Sequence, residues 1–202
     1  MTTSAYDSML SHIKETAALG QVSGLLSWDQ ETMMPKRGAA MRAEQMAAMD
    51  SVLHARKSDK RLGDWLAAID KNELDPVARV NVDRTQRAFD RANKVPAHLS
   101  AELARTSALA HGAWAEARAA DDFASFAPVL EKIVGLKREE AACLSDEGNE
   151  LYDSLLDDFE PGMKLVDLTG MLERLRPGLT ELRQRIVDSG KEISPLQGRF
   201  RG

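Results

Sequence analysis

The chain has 202 residues, 43% hydrophobic and 29% charged, with only 13 Gly and 7 Pro, which is a globular composition rather than a disordered or membrane-embedded one. A formal net charge of -5 argues against a nucleic-acid partner, since phosphate binding needs Lys and Arg clustered in excess. The lone Cys143 cannot form an intramolecular disulfide, Met1 to Glu15 lacks the blocks of a signal peptide, and no run approaches the ~18 apolar residues of a membrane span; a cytoplasmic location is expected.

Helical periodicity starts at once. Leu10, Ile13 and Ala17 mark a first helix continuing to Leu26, and Met46, Met49 and Leu53 mark a second that begins near Ala39. Between them the stretch from Ser27 to Pro35 reads as the helix end turning into a loop, with Trp28 burying its ring and Asp29 and Glu31 pairing with backbone or with Arg37 or Arg42. Leu62, Trp65, Leu66 and Ile69 fall at i, i+3, i+4 and i+7, one face of a third helix. Asp75-Pro76 and Val95-Pro96 are start signals, because proline in a first turn loses no internal hydrogen bond; they predict helices over 76–93 and 96–120. The next helix begins near Asp122 with Phe123, Phe126, Val129, Leu130, Ile133 and Val134 inward, a bent start at Pro128, and an end near Gly148.

Glu160-Pro161-Gly162 forces a turn, and a sub-boundary at 158–163 is considered within what otherwise reads as a single region spanning 1–202. The last long helix carries Leu165, Leu168, Leu172, Leu175, Leu179, Leu182 and Ile186 in alternating steps of three and four, a heptad seam that Pro177 interrupts only on its outward side. Internal packing of that seam is favoured over an intermolecular coiled coil. No alternating strand pattern is found, so the expected class is all-α, built of antiparallel helical hairpins.

Two blocks go beyond what helical periodicity requires. Ser27-Trp28-Asp29-Gln30-Glu31-Thr32-Met33-Met34-Pro35, with the alanine- and methionine-rich run Gly38 to Met49, is one; Tyr152-Asp153-Ser154-Leu155-Leu156-Asp157-Asp158-Phe159-Glu160-Pro161-Gly162-Met163 is the other. In this order they resemble the N-terminal portion of the carboxypeptidase Taq family of zinc metallocarboxypeptidases. Val95-Pro96, Trp114 to Arg118, and Asp122-Phe123 through Phe126-Ala127-Pro128 are similar to that family as well. The resemblance implies a neurolysin-like, groove-shaped helical fold, release of C-terminal amino acids from peptides, and a cytoplasmic homodimer. It also implies zinc or another divalent metal in the full-length enzyme. These helices would shape the wall of the substrate groove.

A zinc peptidase of this type needs two histidines one helical turn apart with a glutamate between them as proton shuttle. The chain has no His-Glu-x-x-His, and His12, His54, His98 and His111 are too scattered to supply one. The resemblance therefore places the metal half beyond Gly202. No catalytic, cofactor-binding or metal residue is assigned to this chain, which is expected to be inactive alone. The alternative is a non-catalytic helical module for protein interaction or self-association.

Asp29 and Glu31 are structural rather than an acid/base pair, and the Asp153, Asp157, Asp158 and Glu160 cluster has Leu155 and Leu156 where a calcium loop needs ligands. His98 and Glu102 are a helix-supporting i,i+4 pair, His111-Gly112 before Trp114 signals close helix packing, and Cys143 is a small apolar residue on a buried face. Arg79, Arg84, Arg87 and Arg91, interleaved with Asp83 and Asp90, are an exposed salt-bridged face rather than a carboxylate clamp.

Overall fold

Among the described residues every regular element is a helix, and no strand occurs. The structure is a computed structural model that describes residues 4–146 and 148–191, and it separates into two compact units, the first ending at Asp146. The turn over 158–163 lies inside the second unit.

In the first unit, α1 spans Ala5–Thr32, capped by the Ser4 hydroxyl accepting the Asp7 N–H at 3.0 Å. It runs past Leu26 because nothing before Pro35 stops it: the Asp29 carbonyl still accepts the N–H groups of Met33 and Met34, and the residue ahead of a proline then leaves helical geometry. A 3₁₀ turn over Lys36–Gly38 leads into α2 (Ala39–Lys57). Asp59 caps α3 (Lys60–Ala68) and Asp75 caps α4 (Pro76–Lys94), where Pro76 occupies the predicted first-turn position. In α5 (Ala97–Ala120) Pro96 is instead the cap itself, one place earlier than the sequence suggests. Asp121 reverses the chain in the left-handed region, φ +52°, and Asp122 caps α6 (Phe123–Leu144).

The most extensive packing is between α2 and α5, and both helices bury alanines: Ala43 and Ala47 on one, Ala108, Ala110 and Ala117 on the other. Small side chains let two helix axes approach closely. At one end, Met9, Leu62, Leu66 and Val82 form a core cluster joining α1, α3 and α4, supported by Tyr6, Ile13, Trp65, Ile69, Leu74 and Phe89. A second cluster of Val95, Leu99, Leu103 and Leu144 ties α5 to the end of α6, with Leu136 and Cys143 packed against it. The face predicted for the third helix is thus the face it buries.

The face predicted for α6 is borne out only in part: Phe126, Val129 and Ile133 turn inward, whereas Phe123, Leu130 and Val134 do not. Phe123 is 68% exposed and Leu130 and Val134 also face out; only Ala141 and Leu144 are fully buried, with Phe126, Val129, Ile133 and Leu136 half-buried. Burial follows the side on which α5 and α4 lie, and the apolar stripe is wider than that side. The start at Phe123 is properly capped, Pro128 sits inside the helix without breaking it, and the helix stops at Leu144 rather than near Gly148.

The second unit holds α7 (Leu151–Leu156) and α8 (Leu165–Asp188) around the Glu160-Pro161-Gly162 turn, where Gly162 takes φ +85°, a conformation that side-chain-bearing residues resist. Helix α8 passes through Pro177 unbroken. Leu172, Leu175, Leu179, Leu182 and Ile186 are 48–62% exposed along its seam, so α7, the other helix of this unit, does not supply the internal packing favoured from the sequence.

Candidate functional site

The junction at the end of α1 is built around Arg42, a buried cation on the first turn of α2. Its Nη2 donates to Asp29 Oδ2 at 2.5 Å, its Nη1 to the Leu26 carbonyl, and its Nε to Gln45 Oε1 at 3.0 Å. Arginine suits this place because its fork can serve a carboxylate and a carbonyl at once without losing its charge. Gln30 donates across to the Ala108 carbonyl of α5 at 3.0 Å. Of the expected partners, Asp29 takes Arg42, whereas Glu31 and Arg37 are exposed. Trp28 does not anchor the junction: it is 57% exposed, because α1 continues as helix and carries the ring, with Val22 and Leu25, onto its outer face.

Glu102 is not a partner of His98, which is exposed. It accepts from Lys132 of α6 at 2.6 Å, from Arg105 at 3.0 Å and from Thr106 at 3.2 Å, while Arg105 reaches back to Glu44 of α2 through Nε and Nη2 at 2.7 and 2.9 Å. This network links α2, α5 and α6. The Lys132 ammonium, followed by Arg105, holds the Glu102 carboxyl below its ordinary range; Arg105 does the same for Glu44 and is itself raised by both carboxylates.

His12 is a site that sequence reading passed over, since nothing in its local spacing marks it. It is buried, its Nε2 donates to the Arg56 carbonyl at 2.8 Å, and its ring meets Trp65 edge-on at 5.8 Å. Arg56 returns the contact, donating to the His12 carbonyl at 3.2 Å, to Thr16 Oγ1 and to Glu15, both at 2.9 Å. His54 Nε2 donates to the Val95 carbonyl at 2.7 Å, tying α2 to the α4–α5 connection.

The other candidates resolve into structural roles. Asp153 Oδ1 accepts the Leu165 N–H at 2.7 Å and its Oδ2 lies 3.4 Å from Lys164 Nζ, while Asp157 Oδ1 accepts the Gly162 N–H at 2.9 Å, so this acidic pair closes a turn. Asp83 accepts from Lys71 and Asp90 from Gln86, and Arg79 donates to the carbonyls of Lys71 and Leu74. His111 stacks at a tilt against Trp114, 6.4 Å between ring centres. Gly112, however, mediates no close approach: an added Cβ would meet nothing within 4 Å.

Against this geometry, the family model for the carboxypeptidase Taq (M32) metallopeptidases matches residues 8–200. The chain belongs to that family. Thermostable carboxypeptidase 1 of Thermus thermophilus is 40% identical over 199 residues, which is 93% of this chain and 39% of that protein. The solved structure of a Pyrococcus furiosus carboxypeptidase aligns with TM-score 0.75 at 29% identity, covering 95% of this chain and 38% of that one. Trypanosoma cruzi metallocarboxypeptidase 1 aligns with TM-score 0.77 at 25% identity, covering 98% and 41%. The chain therefore spans about two fifths of the length of these M32 relatives, with the all-α fold they share.

The described donor side chains of this M32 chain do not fit a metal. Among the described residues no three His, Cys, Asp or Glu side chains gather at a common point. His12 and His54 spend Nε2 on carbonyls, and Glu102 is enclosed by Lys132 and Arg105, cations that would repel a metal ion. No helix of the described residues is long and apolar enough to cross a membrane.

Proposed function

We propose that this chain is the framework region of a zinc-dependent metallocarboxypeptidase that releases C-terminal amino acids from peptides, and that alone it is inactive. The observation that carries the reading is the family match over 8–200 by a chain whose own donors form no metal cluster among the described residues. In the complete enzyme, zinc or another divalent metal would be held by other segments, and these helices would form part of the groove wall. A cytoplasmic homodimer acting on peptides belongs to the same reading. The test is to purify 1–202 and measure metal by elemental analysis and residue release from peptides with added zinc or cobalt. The expected result is no stoichiometric metal and no turnover; one equivalent of metal with chelator-sensitive release would overturn it.

A second reading, an interaction module, is favoured by α8. With Leu165 at a, the positions flanking the seam are Lys164, Met171, Gly178 and Arg185 on one side and Thr169, Arg176 and Arg183 on the other. The carboxylates Asp167, Glu173, Glu181 and Asp188 all fall elsewhere on the helix. Two copies of α8 would bring no opposite charges together in either orientation, so the seam suits an apolar helix flanked by Glu or Asp better than itself.

A further inference from the structure

Helices α1 to α4 line a cleft of about 370 Å³ that opens to solvent beside the exposed Ala17, Lys57, Arg84 and Ala88. It exists because the facing positions carry too little bulk: α1 presents Ala17 and Gly20 and α4 presents Ala88. A Cβ built on Gly20 would meet nothing within 4 Å. Ile13, Leu53, Leu62 and Phe89 make the walls apolar, and the two buried polar groups have already spent their donors, His12 on the Arg56 carbonyl and Thr85 on that of Asn81.

The charged lining is of one sign. Arg56, Lys57 and Arg84 line the cleft and no carboxylate does. Arg56 is committed to Glu15, but Lys57 and Arg84 are exposed and have no ion-pair partner among the described residues. An apolar cleft with two uncommitted cations at its open side fits a molecule with an apolar tail and an anionic head.

We propose that this cleft binds a single-tailed carboxylate of medium chain length, tail between α1 and α4 and head at Lys57 and Arg84. At about 30 Å³ for each water-sized group, the cleft has room for roughly ten to twelve carbons. The inference is independent of the peptidase reading.

The test is calorimetric titration of the 202-residue chain with decanoate, octanoate, decanol and decyltrimethylammonium below their micelle thresholds. One decanoate is expected to bind, octanoate about tenfold more weakly for its two missing methylenes. Decanol should bind less well and the cationic amphiphile least. Gly20→Leu fills the cleft from a position with room for the side chain, so it should keep the fold, checked by circular dichroism, and abolish binding. Lys57→Gln with Arg84→Gln should weaken decanoate about fivefold while leaving decanol unchanged, as two solvent-exposed charge contacts would. Equal binding of decanoate and decyltrimethylammonium, or undiminished binding in a folded Gly20→Leu variant, would overturn the proposal.

Discussion

Asp153 starts a helix to which it does not belong: from α7 its Oδ1 accepts the backbone N–H of Leu165, the first residue of α8, at 2.7 Å. Lys164, the residue at the cap position, supplies no side-chain acceptor of its own. Replacing Asp153 with alanine should destabilise the start of α8 by about 1 to 2 kcal/mol, the usual value of a lost N-cap acceptor. Hydrogen exchange resolved to peptides over 163–172 should quicken in Asp153→Ala and stay near wild type in Asp153→Asn, which keeps an acceptor.

Two glycines make opposite predictions. A Cβ on Gly63 would lie 2.8 Å from Cζ of Phe89, a half-buried ring packed against a core cluster, so Gly63→Ala should cost about 1 to 3 kcal/mol by overpacking. Gly112 has open space around it within a helix, so Gly112→Ala should stabilise by about 0.5 to 1 kcal/mol. Urea denaturation of both variants against wild type separates the signs.

Acid should unfold the first unit through identifiable carboxylates. Glu44 and Glu102 are depressed below 4.5, and Asp59, bonded by the Arg61 side chain and backbone N–H, is depressed from 3.8 to about 2. A carboxyl whose folded value lies below its unfolded one contributes stability that is complete above the unfolded value and disappears as pH falls through the folded one. The unfolding midpoint should therefore decline from pH 4.5 toward 2. Arg105→Met should lower the midpoint at pH 7 and flatten the upper part of the acid decline, read by denaturation at several pH values.

Trp28 and Met9 contrast exposure with burial. Met9 is fully buried and Met9→Ala should cost about 2 to 5 kcal/mol. Trp28→Ser should change stability by no more than about 0.5 kcal/mol, since the ring is largely in solvent. A large loss of thermal stability in Trp28→Ser would mean that the ring is an anchor after all.

The seam of α8 should bind hydrophobic dye. Leu175→Gln with Leu182→Gln should remove about half or more of the fluorescence, since large exposed apolar faces are what such dyes report. Unchanged fluorescence would place the accessible apolar surface elsewhere, for instance at Val22, Leu25 and Trp28.

Helix positions were legible because their signals are local: Asp75-Pro76 and Asp122 act within one turn, and Leu62 and Leu66 sit on a narrow stripe with one possible inner face. The family was legible in the two blocks, of which Asp29 and Asp153 prove to be structural acceptors. What could not be read was which side of a broad stripe would meet a neighbour, as Phe123 and Val134 show on α6. Glu102 and His12 were opaque for a different reason. Their partners, Lys132 and Arg56, lie 30 and 44 positions away, beyond any pattern of local spacing.

Arg42 and Arg56 stand near opposite ends of α2, and each grips a main-chain carbonyl of α1, that of Leu26 and that of His12. Sliding one helix past the other by a single turn would break both grips together. The pair is consequently locked in register, and a displacement imposed on either end of α1 would be transmitted along the hairpin as the movement of a stiff strut.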